Sequence, residues 1–521
     1  MKRSNQGSRT AVVGSFALSA LFALPAAAAP AGPVLAPEPD VVRTELVIRP
    51  DIAARRLDLE ATLHIANPGS RTSFTFLLAD WYSSVAVASR SGPASVLRDK
   101  GVVEVRVPRP SRQERLVFRL SGVPGKSAGE ERPVIDDDSL FLLWSDRFYP
   151  VDFDDWSILR TRVELPESFR VLAPGCRTVR KGPGNRTVEV FETTEPIRAA
   201  TILADTRWIA TERTVRGRRL RALLYPAVRE LSEHVLASSA DVLDFYESRF
   251  GPYAFDEFTF ATVEGIFARR AVTGGVIYSP AYLDREMRST GHDAHETALL
   301  WWFYTVAGRG PGSFQWIEGF GDYAEVLYDE ARGLPIPPIF ESFRFGYLRM
   351  AGTEEEPSIS EPNRGPRSGN YVHGRLPWLM HLLRFAVGDA AFDRALRLLF
   401  DRWRFRSFTL EEFVATLAEG TGQPLDWWRT EWLDRGGVPE LTWRSEISRE
   451  PAGFRVSLIV RQTGALYHLP LEVGIETDQG MRLERVRLDE PFRQFQFFSA
   501  AEPRRVLVDP RRWLLAKVTS E

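Results

Sequence analysis

A chain of 521 residues is too long for one hydrophobic core and implies several domains. Its 44% hydrophobic, 26% charged and 12% aromatic content excludes a disordered or fibrous protein. A net charge of −2, with no arginine-rich stripe, removes the electrostatic reason for a nucleic-acid partner, and the single cysteine, Cys176, excludes an internal disulfide or a thiolate zinc cluster.

At the N-terminus, Lys2, Arg3 and Arg9 precede the apolar run AVVGSFALSALFAL and then the small-residue segment PAAAAPA. That order predicts a secretory signal peptide over residues 1–28, with cleavage near Ala28, and a Pro/Ala linker over 29–40. The apolar run is too short to span a bilayer comfortably, and no cysteine follows it to carry a lipid. The expectation is an exported chain, periplasmic or secreted, soluble after cleavage and without a stable membrane anchor.

Residues 41–212 read as an antiparallel β-domain. Leu57, Leu59, Ala61, Leu63 and Ile65 alternate with mostly polar neighbours, and further strands are predicted around 103–107, 116–120, 161–165 and 188–191. From 213 to 436 the period becomes helical, first through Leu231, Val235, Leu243 and Phe250. One strand-like stretch, EFTFATVE, intervenes, and Thr409 with Glu412 has the spacing of a capping box. The polar stretch GTEEEPSISEPNRGPRSGN is predicted as a surface loop. Over 437–521 alternation returns, at Phe454, Val456, Leu458 and Val460 and again at Leu469, Leu471, Val473 and Ile475. The predicted class is multidomain α+β: a β-domain, a mostly helical domain and a small C-terminal β-sandwich.

The chemistry concentrates in HETALLWW, His295 to Trp302. In the motif H-E-x-x-H two imidazoles one turn apart bind Zn²⁺ and the glutamate acts as general base. Here Leu299 stands at the second histidine position. Trp301 and Trp302 follow, and WIEGFGDY places Glu318 after eighteen intervening residues. With NYVHGRLPWLMHLL and LDWWRTEWLDRGGVPEL, these stretches resemble the membrane alanyl aminopeptidase family of zinc metallopeptidases, whose catalytic domain is thermolysin-like. The resemblance implies His295 and Glu318 as zinc ligands, Glu296 as general base and Tyr371 as the group that stabilises the oxyanion, with His373 where lysine is usual.

Two departures fall on the chemistry the resemblance implies. Leu299 offers no lone pair to a metal. Val272, within RRAVTGGVIY, occupies the position of the glutamate that anchors the substrate's amino terminus, and a valine cannot pair with an ammonium. His292, a turn before His295, and His373 are the remaining candidates for a third ligand. A metal shared by His292 and His295 would be displaced by about a helical turn, roughly 5 Å, and would tend to miss Glu318. Zinc, general in the family, is expected to bind weakly or not at all here. The expected function is a non-catalytic protein that binds a peptide or protein partner in an interdomain cleft; the alternative is a metallopeptidase of low or altered activity with a rearranged site. Against both stands a plainer reading, in which His295 and Glu296 are buried relics, Glu318 pairs with an arginine and Tyr371 merely packs.

Overall fold

The computed structural model describes residues 41–66, 69–125, 134–266, 268–336 and 338–521, so the expected leader and linker over 1–40 lie outside the described residues. Among the described residues no helix is long and apolar enough to cross a membrane.

The N-terminal part is built on an eight-stranded sheet accompanied by smaller sheets of three and four strands. The alternation from Leu57 to Ile65 forms the strand Arg56–Ile65, and each of its five apolar side chains is buried. Full burial of a leucine or isoleucine side chain contributes about 1.5–3 kcal/mol, so this alternation fixes which face turns inward. The sheet is not purely antiparallel, as the sequence suggested. Val41–Asp51 runs parallel to Ile158–Pro166, with Arg43 opposite Ile158, although its other neighbour, Arg56–Ile65, is antiparallel. Pairing across more than a hundred residues is fixed by tertiary packing, which local alternation does not encode.

A second, five-stranded sheet runs in the order Ile209–Val215, Arg218–Leu224, Glu257–Thr262, Gly275–Tyr278 and Arg269–Val272. Its inner pairs are parallel, and Arg269–Val272 closes the edge antiparallel to Gly275–Tyr278. The domain boundary expected at 212 therefore falls inside a strand of this sheet.

Around the sheet pack the helices α1 (Ser232–Phe250), α2 (Pro280–Ser289), α3 (Ala294–Trp302), α4 (Ser313–Ala331), α5 (Pro338–Met350), α6 (Ser368–Gly374), α7 (Leu376–Val387), α8 (Asp389–Trp403) and α9 (Leu410–Thr421). Val235, Leu243 and Phe250 point inward from α1. Helix α9 opens on the predicted capping box: the Thr409 side chain accepts from Glu412 N, and the Glu412 carboxylate accepts from Thr409 N. Such a cap contributes about 1 kcal/mol.

After α9 and a short helical segment to Leu433, the chain returns to strands. Glu440–Glu450 lies between Gly453–Thr463, antiparallel, and Lys517–Ser520, parallel. Leu469–Thr477 lies between Gly480–Leu488 and Arg505–Val508. The buried faces of both sheets, with Val456, Leu458, Val460, Leu471 and Val473, belong to the same continuous apolar cluster as the helices. The junction near 437 is a change of secondary structure within a shared core.

Candidate functional site

Helix α3 begins at Asp293, whose side chain accepts from Glu296 N and satisfies one of the first-turn donors. The helix carries His295 and Glu296 inward and ends on two buried tryptophans. Trp301 donates from Nε1 to Gly251 O at 3.1 Å, and Trp302 packs against Phe400. These two residues are core.

Helix α4 is buried through almost all its circumference from Trp316 to Asp329. Two glycines permit this. A Cβ on Gly319 would meet Val372 O at 2.5 Å, and one on Gly321 would meet Leu299 Cδ2 at 3.2 Å. Leu299 thus packs against the closest approach of α3 and α4. Glu318, Asp322, Glu325 and Asp329 stand at i, i+4, i+7 and i+11 and share one face of this buried helix. Buried charges must be paired, and three histidines are the principal partners of that face.

Asp322 sits at the centre. Its Oδ1 is 3.2 Å from His295 Nδ1, and its Oδ2 is 2.7 Å from His373 Nδ1. Glu325 Oε2 lies 3.5 Å from the same His295 nitrogen. Further along, His292 Nε2 meets Asp329 Oδ1 at 3.0 Å, while its Nδ1 accepts from Ala294 N. Both nitrogens of His292 are engaged, and it faces Asp329 rather than any group near His295. Glu318 makes no hydrogen bond or ion pair among the described residues; the opposing charges that act on it are His373 and His295.

These neighbours set the protonation states. Burial and Arg269 work against the His295 imidazolium, but Asp322, Glu325 and Glu296 outweigh them and raise its pKa to about 10. Burial opposes the charge on His373 as well, and Asp322 again prevails, so its pKa is raised. Glu318 is pushed up to about 7, chiefly by burial, with His373 pulling the other way. Burial likewise lifts Asp293 to about 6.

The other side of His295 faces Glu296, whose Oε1 is 3.7 Å from Nε2. Glu296 is itself held: Oε2 accepts from Ala271 N at 2.6 Å, and Oε1 is 3.4 Å from Arg269 Nε. Val272, next along the edge strand, is fully buried in an apolar cluster with Phe141, Leu143 and Leu223.

Tyr371 stands apart from this group. Its ring lies 5.7 Å from the Arg375 guanidinium and 6.1 Å from the Tyr347 ring. Burial raises its hydroxyl pKa, and Arg375 opposes the rise. Among the described residues no hydrogen bond joins it to His295, Glu296 or Glu318. Arg375 donates to the carbonyls of Trp432, Arg435 and Gly437 and pairs with Glu356, so this second cluster fixes the chain where it leaves the helices.

The structure therefore gathers His295, Glu296, Glu318 and His373 into one locus and places Tyr371 and His292 in neighbouring networks. Sequence reading did not single out Arg269, Asp322, Glu325 or Asp329. The last three carried a signal, a carboxylate stripe of heptad spacing starting at Glu318. A catalytic zinc site uses three protein ligands and keeps a fourth position open. Leu299 contributes none, and among the described residues no three His, Cys, Asp or Glu side chains converge as a metal site. As arranged, the residues do not fit a three-ligand zinc centre, although a carboxylate behind a histidine, as Asp322 is behind His295, is the support that metal-bound imidazoles use.

Solved structures of zinc metallopeptidases share this fold. No family model and no curated protein sequence matches the chain, so the likeness to known proteins is one of fold. Aminopeptidase A of Legionella pneumophila, solved with aspartic acid, superposes with a TM-score of 0.72 at 13% identity. That match covers 94% of this chain, which spans only 60% of the Legionella chain. An M1 zinc metallopeptidase of Deinococcus radiodurans, a glutamate-to-alanine mutant, gives 0.64 at 19% identity over 77% of this chain and 95% of its own. A two-domain M1 zinc metallopeptidase mutant bound to L-arginine gives 0.65 at 17% identity over 76% and 94%.

Proposed function

We propose that this protein is an exported member of the zinc aminopeptidase fold whose metal locus no longer hydrolyses peptides, and whose cleft between the β-domain and the helices binds a peptide or a protein partner. The observation that carries the reading is the state of Glu296. A general base must reach a water or substrate proton, but one oxygen of this carboxylate accepts from Ala271 N and the other faces Arg269 Nε at 3.4 Å as an ion pair. Leu299, packed on Gly321, and Val272, buried among apolar side chains, support it from the metal side and the amine side.

A second reading, a metallopeptidase with a rearranged site, draws on one specific feature. Asp322 orients two imidazoles, His295 and His373, through their Nδ1 atoms, and Glu318 lies close by without a partner. Under that reading His373 replaces the ligand lost at position 299.

Elemental analysis of the isolated protein, paired with an assay on aminoacyl substrates, separates the two. Substoichiometric zinc and no turnover are expected. Near-stoichiometric zinc with chelator-sensitive cleavage would establish the enzyme and sink the non-catalytic reading.

A further inference from the structure

The carboxylates around His295 need compensating charge whether or not a metal supplies it. The edge strand brings a cation of its own. The Arg269 side chain is only 9% exposed, and its Nη1 donates to Glu286 on α2 at 2.7 Å. Its Nε lies 3.4 Å from Glu296 Oε1, and its guanidinium lies 5.6 Å from the ring of Tyr282. Two residues along the same strand, Ala271 N donates to the other oxygen of Glu296. Glu296 Oε1 in turn faces His295 Nε2, the ring nitrogen left over once Nδ1 has met Asp322 and Glu325. On its Nε2 side His295 therefore faces a carboxylate already shared with an arginine.

We infer that the Arg269 guanidinium is the resident cation of this site: it takes the electrostatic place of a divalent metal, holds Glu296 against the edge strand, and excludes metal by charge as well as by the missing ligand at Leu299. Guanidinium suits the role because it stays charged at every accessible pH and is weakly hydrated, so it tolerates burial better than an ammonium. Glu286 on α2 accepts its hydrogen bond and Glu296 on α3 faces its Nε at 3.4 Å, so carboxylates from two helices hold the charge in place. A divalent ion beside His295 Nε2 would meet like charge across Glu296 at short range, where burial weakens screening. This inference rests on the non-catalytic reading and adds the means by which the site excludes metal.

It also makes a prediction that ligand loss alone does not. Restoring the imidazole at position 299 is insufficient while Arg269 remains. The test measures zinc affinity of the full chain by competition with a chromogenic chelator, for Leu299→His alone and for Leu299→His combined with Arg269→Ala. Circular dichroism and thermal unfolding with and without zinc establish that each variant is folded. Where Arg269→Ala leaves its two carboxylates too exposed to each other, Arg269→Gln with Glu286→Gln removes the cation and one carboxylate together. The expected result is no stoichiometric zinc for Leu299→His and at least a hundred-fold tighter binding once Arg269 is removed. Zinc binding by Leu299→His alone as tight as in the combined variants would overturn the inference, and so would failure of every Arg269 variant to gain zinc. Chelator-sensitive turnover in the unsubstituted protein would instead defeat the non-catalytic reading, which keeps the two failures distinct.

Discussion

Two buried polar networks lie on either side of helix α6, and they are built differently. Around Arg375 the terminal guanidinium nitrogens meet three backbone carbonyls and Glu356, and the Tyr347 hydroxyl donates to Glu356 as well. Around Asp322 the groups face one another as charges, and several lack a well-formed hydrogen bond: Asp293 Oδ2, Asp322 Oδ1, Asp329 Oδ1 and Arg269 Nε. Beside them Glu318 has no partner among the described residues. Arg375 Nε lacks a hydrogen bond as well, so what separates the two networks is the kind of partner: backbone carbonyls take the terminal nitrogens of Arg375, whereas around Asp322 charged side chains face charged side chains.

The largest effect expected from breaking this contrast is at Arg375. Arg375→Ala leaves the buried Trp432 carbonyl without its donor, takes the guanidinium from the Arg435 and Gly437 carbonyls, and removes the counter-charge from Glu356, and is expected to cost about 3–5 kcal/mol. Denaturant unfolding measures it; a loss below about 1 kcal/mol would show that the first network is not holding the fold.

An intermediate effect is expected at Asp322. The folded pKa of His295 is raised above its unfolded value, so its contribution to stability is complete below about pH 6.5 and is lost as pH rises through about 10. Asp322→Asn removes a principal source of that shift. We expect it to destabilise by about 2–3 kcal/mol at pH 6, with the deficit narrowing toward pH 10. A pH-independent deficit, or an unmoved His295 titration by NMR, would place the charge balance elsewhere.

The smallest effect has the opposite sign. Glu318 also has a raised pKa, about 7, so the folded state holds its proton more tightly than the unfolded chain does. The stability this provides is present below about pH 4.5 and lost as pH rises through 7. Glu318→Gln is expected to stabilise the protein by about 1–2 kcal/mol at pH 8 and to change little at pH 4. Destabilisation at pH 8 would mean that the attraction of His373 and His295 outweighs the cost of burying the carboxylate.

Much of this was readable in the residues, for physical reasons that differ by position. The inward faces at Leu57–Ile65 and Leu469–Ile475 follow from period-two alternation, and the start of α9 follows from Thr409 and Glu412, because both signals are local. His295 and Glu318 were linked by the resemblance that HETALLWW and WIEGFGDY carry, since a separation of that length means nothing without a known motif beside it. The parallel pairing of Val41–Asp51 with Ile158–Pro166 was not readable, since no local pattern selects a partner so distant. Arg269 was equally silent: its carboxylates lie at 286 and 296 on different helices, joined to it only by the fold. The stripe from Glu318 to Asp329 was visible as spacing but pointed the wrong way. Charges at heptad intervals ordinarily mark a solvated face, and only packing against His292, His295 and His373 turns this one inward.

The apolar cluster that runs without interruption from the helices into the last strands bears on how the molecule comes apart. Two modules with separate cores can melt independently, and a protease can release one intact from the other. Here Leu441, Tyr467 and Leu514 are buried in the same mass as Trp378 and Trp432, and Arg375 bolts the connecting segment to α6 from within. Trimming the chain near 437 would strip one wall from the helical interior and expose it to water. The C-terminal strands thus cover one side of the helical core, and the two are expected to melt together in calorimetry, a result that two separate transitions would contradict.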